Sequence, residues 1–243
     1  MTRLSVIVPV LDDPVRVGST VARLRRELAT VADEGGLEIV VVDDGSSDAT
    51  ADAARNAGAD RVLVHEQNRG KGAAVRTGVM AASGATIAFT DIDLSYSPDQ
   101  LLALLAEIEN GADVAVGSRR HGDAVTLVRA TPYRRVTSRL FNVATVLTMG
   151  IWADTQCGVK AFRHDVARRL FGAARLDGFA FDVELFHLAR RWGLDVRQVP
   201  VTLTSSDVSS VRLRGELLML WDLARLRLLT WRRAYGGSRG PLP

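Results

Sequence analysis

Short apolar runs alternate with longer segments of helical periodicity over the first half of the chain. The apolar runs predict buried strands over residues 4–10, 37–42, 61–64, 87–89 and 113–116. Between them, apolar side chains recur at helical spacing, as in a helix predicted over residues 15–32. Strands that alternate with helices are typical of βαβ units. We therefore predict an α/β fold with a Rossmann-like, mostly parallel sheet flanked by helices.

The alternation ends near Gly117, and the second half of the chain is patterned differently. It predicts helices over residues 133–149, 165–171 and 181–192, and strands over residues 158–162 and 195–203. Residues 216–233 predict a C-terminal amphipathic helix that is rich in Leu, Trp and Arg. We therefore divide the chain into an α/β domain over residues 1–211, an amphipathic helix over 212–235 and a flexible tail over 236–243.

Composition and charge narrow the class of protein. The chain has 243 residues, 47% of them hydrophobic, which is enough to bury a sizeable core. Arginines crowd residues 119–139 and 212–233, which suggests a partner with phosphates or a membrane surface rather than a generally basic protein. We expect no nucleic-acid partner. The single cysteine, Cys157, excludes an intrachain disulfide and fits a reducing compartment. We expect neither a signal peptide nor a transmembrane helix.

Two carboxylates, Asp91 and Asp93, directly follow the strand predicted over residues 87–89. In an open α/β sheet, ligands bind outside the carboxyl ends of the strands. Paired carboxylates there suit a hard divalent cation that shares its ligands with substrate phosphates. The alternative is an Asp-rich turn without a metal. We predict that this pair holds Mg²⁺ or Mn²⁺ against the diphosphate of a nucleotide-sugar.

Two further loops could contact such a donor. Asp43-Asp44-Gly45-Ser46 follows the second strand and could accept hydrogen bonds from a base or a ribose, or could cap the next helix. Asn68-Arg69-Gly70-Lys71-Gly72 places flexible backbone and a cation at a helix start, which favours a diphosphate. The alternative for this second loop is a glycine-rich turn with a solvated lysine. Neither loop has the spacing of a P-loop or of the dinucleotide-binding fingerprint.

Taken in order, V-P-V, V-V-D-D-G-S-S-D, N-R-G-K-G-A-A-V and D-I-D resemble the motifs of GT-A-fold glycosyltransferases of family 2. The second half is similar to the dolichyl- and polyprenyl-phosphate sugar synthases. D-T-Q-C-G-V-K at residues 154–160 and F-D-V-E-L at residues 181–185 are similar to the glucosyltransferase branch of those enzymes. The resemblance implies a GT-A fold over the α/β domain.

The resemblance also implies roles for individual residues. The donor nucleotide would be held by Pro9, Asp13, Asp43, Gly45, Lys71 and Asp91. The metal would be held by Asp91 and Asp93, and the acceptor phosphate by Arg119, Arg134 and Ser138. The sugar pocket would be lined by Asp154, Gln156, Asp182 and Glu184, although Asp182 and Glu184 could instead be helix-start residues. The chain departs from the family pattern at Asp12-Asp13, where Asn-Glu is usual, and at Ser95, where some relatives have a third metal ligand.

The implied reaction is a metal-dependent, inverting transfer of glucose from UDP-glucose to a polyprenyl monophosphate, giving polyprenyl-phosphate β-glucose. We expect a peripheral protein on the inner, cytoplasmic face of a membrane, because a basic helix with leucines and tryptophans suits the interface. The alternative for that helix is packing on the domain or on a partner. An integral membrane protein would recruit the enzyme or receive its product. Two other functions remain open, a GDP-mannose-dependent mannosyltransferase and a non-catalytic accessory protein that binds nucleotide or membrane.

Overall fold

The computed structural model of the chain describes residues 2–119, 121–126, 145, 154–155, 157–204 and 213–231, with side chains only from 221 onward in the last range. Three predicted site residues, Arg134, Ser138 and Gln156, lie outside this part of the chain. Nearly all of the helix predicted over residues 133–149 and the whole of the predicted tail also lie outside it. Those predictions stay predictions.

Nine strands lie within the described residues. They are β1 (Leu4–Val10), β2 (Leu37–Asp43), β3 (Arg61–Val64), β4 (Thr86–Phe89), β5 (Val114–Ser118), β6 (Val125–Thr126), β7 (Lys160–Arg163), β8 (Val196–Pro200) and β9 (Thr202–Leu203). Seven of them form one sheet in the order β3-β2-β1-β4-β7-β5-β8, and β6 pairs with β9. Only β7 runs antiparallel to its neighbours in the larger sheet. The predicted mostly parallel α/β architecture is confirmed.

Eight helices lie in the same part of the chain. They are α1 (Pro14–Glu27), α2 (Ala29–Gly35), α3 (Thr50–Asn56), α4 (Lys71–Ala81), α5 (Gln100–Glu109), α6 (His164–Ala173), α7 (Phe181–Trp192) and α8 (Leu213–Trp231). The predicted helix over residues 15–32 is wrong in one respect. Leu28 leaves helical geometry, with φ −108° and ψ 21°, and separates α1 from α2 while its side chain stays buried.

The late strand predicted over residues 195–203 is also divided. Pro200 ends β8, where it lies opposite Ser118 of β5. β8 is the last strand of the larger sheet, and an edge strand is where a proline, which has no N–H to donate to a ladder, is accommodated. After Val201 the chain joins the small sheet, where Thr202 pairs with Val125 of β6.

Hydrophobic side chains cover both faces of the larger sheet, as expected for parallel strands. On one face, Ile7 and Phe89 pack under α4, α6, α7 and α8. On the other face, Val6 and Val8 pack under α1 and α5. Four aromatic rings fill the first face at centroid distances of 5.5 to 6.4 Å, from Phe89, Phe162, Phe171 and Phe181. This two-sided packing holds the strands as a rigid base for the loops at their ends.

Helix α8 packs against the domain along one side. Its Leu223 and Leu226 are buried in the first hydrophobic cluster. Its other side exposes Trp221, Leu228 and Trp231, with Trp231 80% exposed. Across the part of the chain that is described, no helix is both long enough and apolar enough to cross a bilayer. Helix α8 therefore has two apolar sides, one against protein and one facing outward.

Candidate active site

The carboxyl ends of β1, β2 and β4 meet at one edge of the sheet because these strands are neighbours and parallel. The loop after β4 carries Asp91, and helix α4 begins at Lys71. The ammonium of Lys71 donates a hydrogen bond to Oδ1 of Asp91. Burial disfavours the charged ammonium, but the carboxylates of Asp91, Asp182 and Asp93 outweigh it and raise the pKa of Lys71. The structure therefore joins two predicted donor-site residues in one charged cluster.

Asp93 is held by the residue at which the chain departs from the family pattern. Its Oδ1 accepts the backbone N–H of Ser95 at 3.0 Å, and its Oδ2 accepts the Ser95 hydroxyl at 2.7 Å. The loop turns at Leu94, a non-glycine residue with φ +44°. On the other side, Thr20 of α1 donates its hydroxyl to the carbonyl of Ile92 at 2.6 Å. Ser95 thus orients the Asp93 carboxylate.

The two carboxylates can be tested against the predicted cation. Within the described residues, no group of three or more His, Cys, Asp and Glu side chains is arranged to hold a metal. Mg²⁺ does not need such a group, because it is often bound through one or two carboxylates and completes its shell with phosphate oxygens and water. A Cβ at Gly158 would lie 3.0 Å from Cγ of Asp91, so any larger residue at position 158 would collide with the Asp91 carboxylate. The residues present fit a cation that is shared with donor phosphates.

The predicted nucleoside residues lie at the carboxyl ends of β1 and β2, which include Pro9 and Asp43, and on the loops that follow these strands. Asp43 is buried, and its Oδ1 accepts the backbone N–H of Ser46 at 2.8 Å. Gly45 has φ +83°, and a Cβ there would lie 2.6 Å from the backbone nitrogen of Asn68. Asp13 caps α1 by accepting the backbone N–H of Arg16 at 3.1 Å. Asp13 is therefore the N-cap of α1, and the close approach at Gly45 brings the loop after β2 against the loop that precedes α4.

Asp12 ties the loop after β1 to the loop after β2, a contact that its sequence position did not indicate. Its backbone N–H donates to Oγ of Ser46 at 2.9 Å, and its Oδ1 accepts the N–H of Ser47 at the same distance. Asp12 has φ +48°, a left-handed conformation that is uncommon outside glycine, although Asp and Asn tolerate it best. The Asp12-Asp13 departure therefore has a local structural use.

Arg119 and Asp154 were predicted to hold different substrates, and the structure pairs them with each other. Nε of Arg119 lies 2.8 Å from Oδ2 of Asp154, and Nη2 lies 2.7 Å from Oδ1. The backbone N–H of Arg119 also donates to Oδ2 at 3.0 Å. Burial would raise the pKa of Asp154, but these bonds lower it. Asp154 therefore stays ionised and neutralises part of the charge that Arg119 would offer to a phosphate.

Asp182 lies between two lysines. Nζ of Lys160 is 2.9 Å from its Oδ1, and the positive charge of Lys71 also acts on it. Burial nevertheless dominates and raises the pKa of Asp182. Lys160 is itself held by the carbonyl of Cys157 at 2.6 Å, and its ammonium lies 5.2 Å from the ring centroid of Phe89. Lys160 was not singled out as a site residue from the sequence. It pairs with Asp182, and the charges of Lys71 and Asp91 also act on Asp182.

Glu184 has a structural place that the sugar-pocket expectation did not anticipate. It is fully buried, and its carboxylate accepts the backbone N–H groups of Arg175 and Leu176 at 2.8 to 3.0 Å. A carboxylate that satisfies two backbone amides stabilises the loop before α7. Glu184 lies in the first turn of α7, and its place in the sugar pocket stays a prediction.

Comparison with known proteins identifies the family to which this sequence is similar. The model of the family described as "Glycosyl transferase family 2" matches residues 5–171. A dolichyl-phosphate beta-glucosyltransferase from Drosophila melanogaster is 33% identical and is aligned over 95% of this chain and 77% of its own length. The enzyme of that name from Dictyostelium discoideum is 30% identical, over 92% of this chain and 73% of its own length.

Solved structures agree on the fold. Glucosyl-3-phosphoglycerate synthase from Mycobacterium tuberculosis, solved with Mn²⁺, UDP-glucose and phosphoglyceric acid, matches with a TM-score of 0.70. The match covers 98% of this chain and 82% of that one at 21% identity, and it shows a shared fold alone. The family match spans more than half of the chain, and relatives above 30% identity are covered over most of their length. This chain therefore belongs to glycosyl transferase family 2, alongside dolichyl-phosphate beta-glucosyltransferases, and it is a glycosyltransferase.

Proposed function

We propose that the chain transfers glucose from UDP-glucose to a polyprenyl monophosphate and releases UDP. The observation that carries the proposal is the cluster of Lys71, Asp91 and Asp93 at the carboxyl edge of the sheet. A lysine ammonium at that edge can pair with a nucleoside diphosphate, and two carboxylates there can share a divalent cation with its phosphates. The names of the relatives in glycosyl transferase family 2 supply the sugar and the class of acceptor.

On the donor side, Asp91 and Asp93 would hold Mg²⁺ or Mn²⁺, and Lys71 would lie beside the diphosphate. A bound divalent cation neutralises the charge that develops on the leaving UDP. Asp43 and the loop at Gly45 would face the nucleoside, with Pro9 near the end of β1 and Asp13 on the loop that follows that strand. The contribution of the protein is then mainly the placement of opposite charges around a leaving group.

On the acceptor side, a phosphate monoester has a second pKa of about 6, so it is largely dianionic at pH 7. One of its oxygens can attack the anomeric carbon while the bond from that carbon to UDP breaks. No strong general base is then needed. Attack opposite the leaving group converts an α-linked donor into a β-linked product. Arg119 would approach the acceptor phosphate while it stays paired with Asp154, and Asp154 and Asp182 would border the sugar.

The outward side of α8 supports a location at a membrane. It exposes two tryptophans and Leu228, and Arg225 and Arg227 lie on the same helix. Tryptophan, leucine and arginine on one helix suit the boundary between head groups and acyl chains. Each arginine near an anionic surface contributes about 1 kcal/mol to binding. The cytoplasmic face and an integral membrane partner stay predictions.

A transfer assay tests the proposed reaction. Purified protein with Mg²⁺ or Mn²⁺ and a short polyprenyl phosphate is offered UDP-glucose and GDP-mannose in separate reactions. We expect a glucolipid from UDP-glucose and its loss in Asp93→Ala. Asp99→Ala is the matched control, because Asp99 is exposed and makes no side-chain capping bond at the start of α5.

Each of the other possible results of this assay leads to a different conclusion. A mannolipid made only from GDP-mannose would show that the transferred sugar is mannose rather than glucose. It would leave the proposed acceptor, a polyprenyl monophosphate, unchanged. Transfer that survives in Asp93→Ala would contradict the role of the carboxylate pair. Vesicle binding without transfer from either donor would favour a non-catalytic role.

A further inference from the structure

A chain of three hydrogen-bonded side chains connects the end of β2 to helix α4. His65, the residue after β3, places Nδ1 2.6 Å from Oδ1 of Asp44 and Nε2 2.9 Å from Oγ1 of Thr77. Asp44 and His65 are both buried. Thr77 lies on α4, the helix that begins at Lys71. The side chain of His65 thus spans the distance between the donor loop of β2 and the helix that carries the donor-site lysine.

The carboxylate of Asp44 also holds the loop before α4. Its Oδ1 accepts the backbone N–H of Arg69 at 3.0 Å, and its Oδ2 accepts that of Gly70 at 2.7 Å. Gly70 has φ +102°, and a Cβ there would lie 3.1 Å from the carbonyl carbon of Asp177. The turn at Gly70 is therefore confined on both sides. Because Lys71 follows directly, the orientation of Asp44 determines where the lysine leaves the loop.

The partners of His65 decide its tautomer. A carboxylate only accepts hydrogen bonds, so Nδ1 of His65 carries a hydrogen and donates it to Asp44. In the neutral ring, Nε2 then accepts the hydroxyl hydrogen of Thr77. A buried carboxylate with three N–H donors has its rotamer set by all of them together. Removing the imidazole donor would leave one lone pair of Asp44 without its partner.

We propose that His65 is a positioning residue for the donor diphosphate. Acting through Asp44, it sets the turn at Gly70 and thereby places the ammonium of Lys71 beside Asp91. The inference rests on the proposed function, because it takes the donor phosphates to lie at Lys71. His65 itself touches no substrate. Its replacement should therefore weaken the binding of a nucleoside diphosphate and leave the binding of the bare nucleoside unchanged.

Calorimetric titration of the intact protein with UDP and with uridine, at one fixed Mg²⁺ concentration, separates the affinity due to the diphosphate from the affinity due to the nucleoside. His65→Gln can still reach Thr77 but lacks a donor at the Nδ1 position, and we expect about tenfold weaker UDP binding. His65→Asn has an amide nitrogen near the Nδ1 position, so it should restore most of the UDP affinity. Hydrogen exchange at the amides of Arg69 and Gly70 should be faster in His65→Gln than in His65→Asn.

His164→Gln is the matched control. His164 donates from Nδ1 to the carbonyl of Gly84 at 2.8 Å, at the amino end of β4 and away from the donor edge. This variant should leave both affinities and the exchange of the Arg69 and Gly70 amides unchanged. If His65→Gln does not fold, Thr77→Val tests the other end of the hydrogen-bonded chain, and about threefold weaker UDP binding is expected.

The outcomes separate the inference from the proposed function. Unchanged UDP binding in a folded His65→Gln, or in Thr77→Val used in its place, would overturn the positioning role. An equal loss for UDP and uridine would do the same, because it would indicate a general structural effect. If the wild-type protein binds UDP no more tightly than uridine, and GDP no more tightly than guanosine, then the proposed diphosphate site fails, and the inference fails with it.

Discussion

Replacing Asp154 by alanine tests whether the buried ion pair with Arg119 stabilises the site. Three hydrogen bonds converge on this carboxylate, two from the guanidinium and one from the backbone N–H of Arg119. Asp154 is 1% exposed, so the variant leaves these donors facing a cavity. The Arg119 side chain is 32% exposed, so water can reach part of the guanidinium once its partner is gone.

These contacts determine how far Asp154→Ala should lower the free energy of unfolding. Removing one partner of a buried ion pair costs about 3–5 kcal/mol. Because water replaces part of the lost interaction at Arg119, we expect a loss of about 2–3 kcal/mol in the free energy of unfolding. For a domain of this size, each kcal/mol lowers Tm by about 2–4 °C, so Asp154→Ala should melt about 4–12 °C below the wild-type protein.

A double-mutant cycle in urea measures the interaction. The four proteins are wild type, Asp154→Ala, Arg119→Met and the double variant, and we expect a coupling energy of about 1–3 kcal/mol. The lowered native pKa of Asp154 means that its contribution is present above the pKa of the unfolded chain, about 3.9, and is lost as the pH falls through the native value. The stability difference between wild type and Asp154→Ala should therefore shrink in acid.

Asp165→Ala provides the comparison at the surface. Arg163 also contacts Asp165 through two guanidinium nitrogens, at 2.7 and 3.1 Å, but that pair is exposed, and its removal should cost less than about 1 kcal/mol. Additive effects in the Asp154 cycle would refute the reasoning. So would a stability difference that is the same at pH 3 and pH 7.

Three further predictions follow from single contacts. Gly158→Ala should lower Mn²⁺ affinity by about tenfold or more in paramagnetic resonance titrations, because its Cβ would overlap the Asp91 carboxylate; unchanged affinity would contradict a role for Asp91 as a ligand. Leu226→Ala should destabilise the protein by about 2–5 kcal/mol in urea, whereas Leu228→Ala, on the outward side of α8, should cost less than about 1 kcal/mol. Glu184→Gln should cost about 1–3 kcal/mol, since an amide cannot accept all the same backbone bonds; equal stability would show that those bonds do not matter.

Much of the fold follows from local pattern. The predicted bounds of β1, β3 and α7 agree with the structure, and the other predicted strands and helices within the described residues differ by a few residues at their ends. The errors have local causes that periodicity does not register. Leu28 continues the apolar spacing of α1 although its backbone leaves the helix. Pro200 ends β8 within a stretch that the sequence pattern predicts as one strand through Leu203.

The site could be predicted only in part. Asp91, Asp93 and Lys71 were selected because residue type and position after a strand or before a helix carry the chemical signal, and parallel strands bring those positions to one edge. The pairings could not be predicted in the same way. Asp44 and His65 lie 21 residues apart, and Lys160 and Asp182 meet only through the packing of α7 against the sheet.

The sequence by itself determined the alternation of strands and helices, the apolar residues that cover the two faces of the sheet, and the types of residue at the strand ends. These are local properties, because a side chain's polarity and its spacing act over one element. Only the tertiary structure decided that β7 enters antiparallel between β4 and β5, and that Arg119 is paired with Asp154. It also decided that α8 packs one apolar side on the domain. Such contacts join distant segments, and they depend on the path of the whole chain rather than on any one stretch.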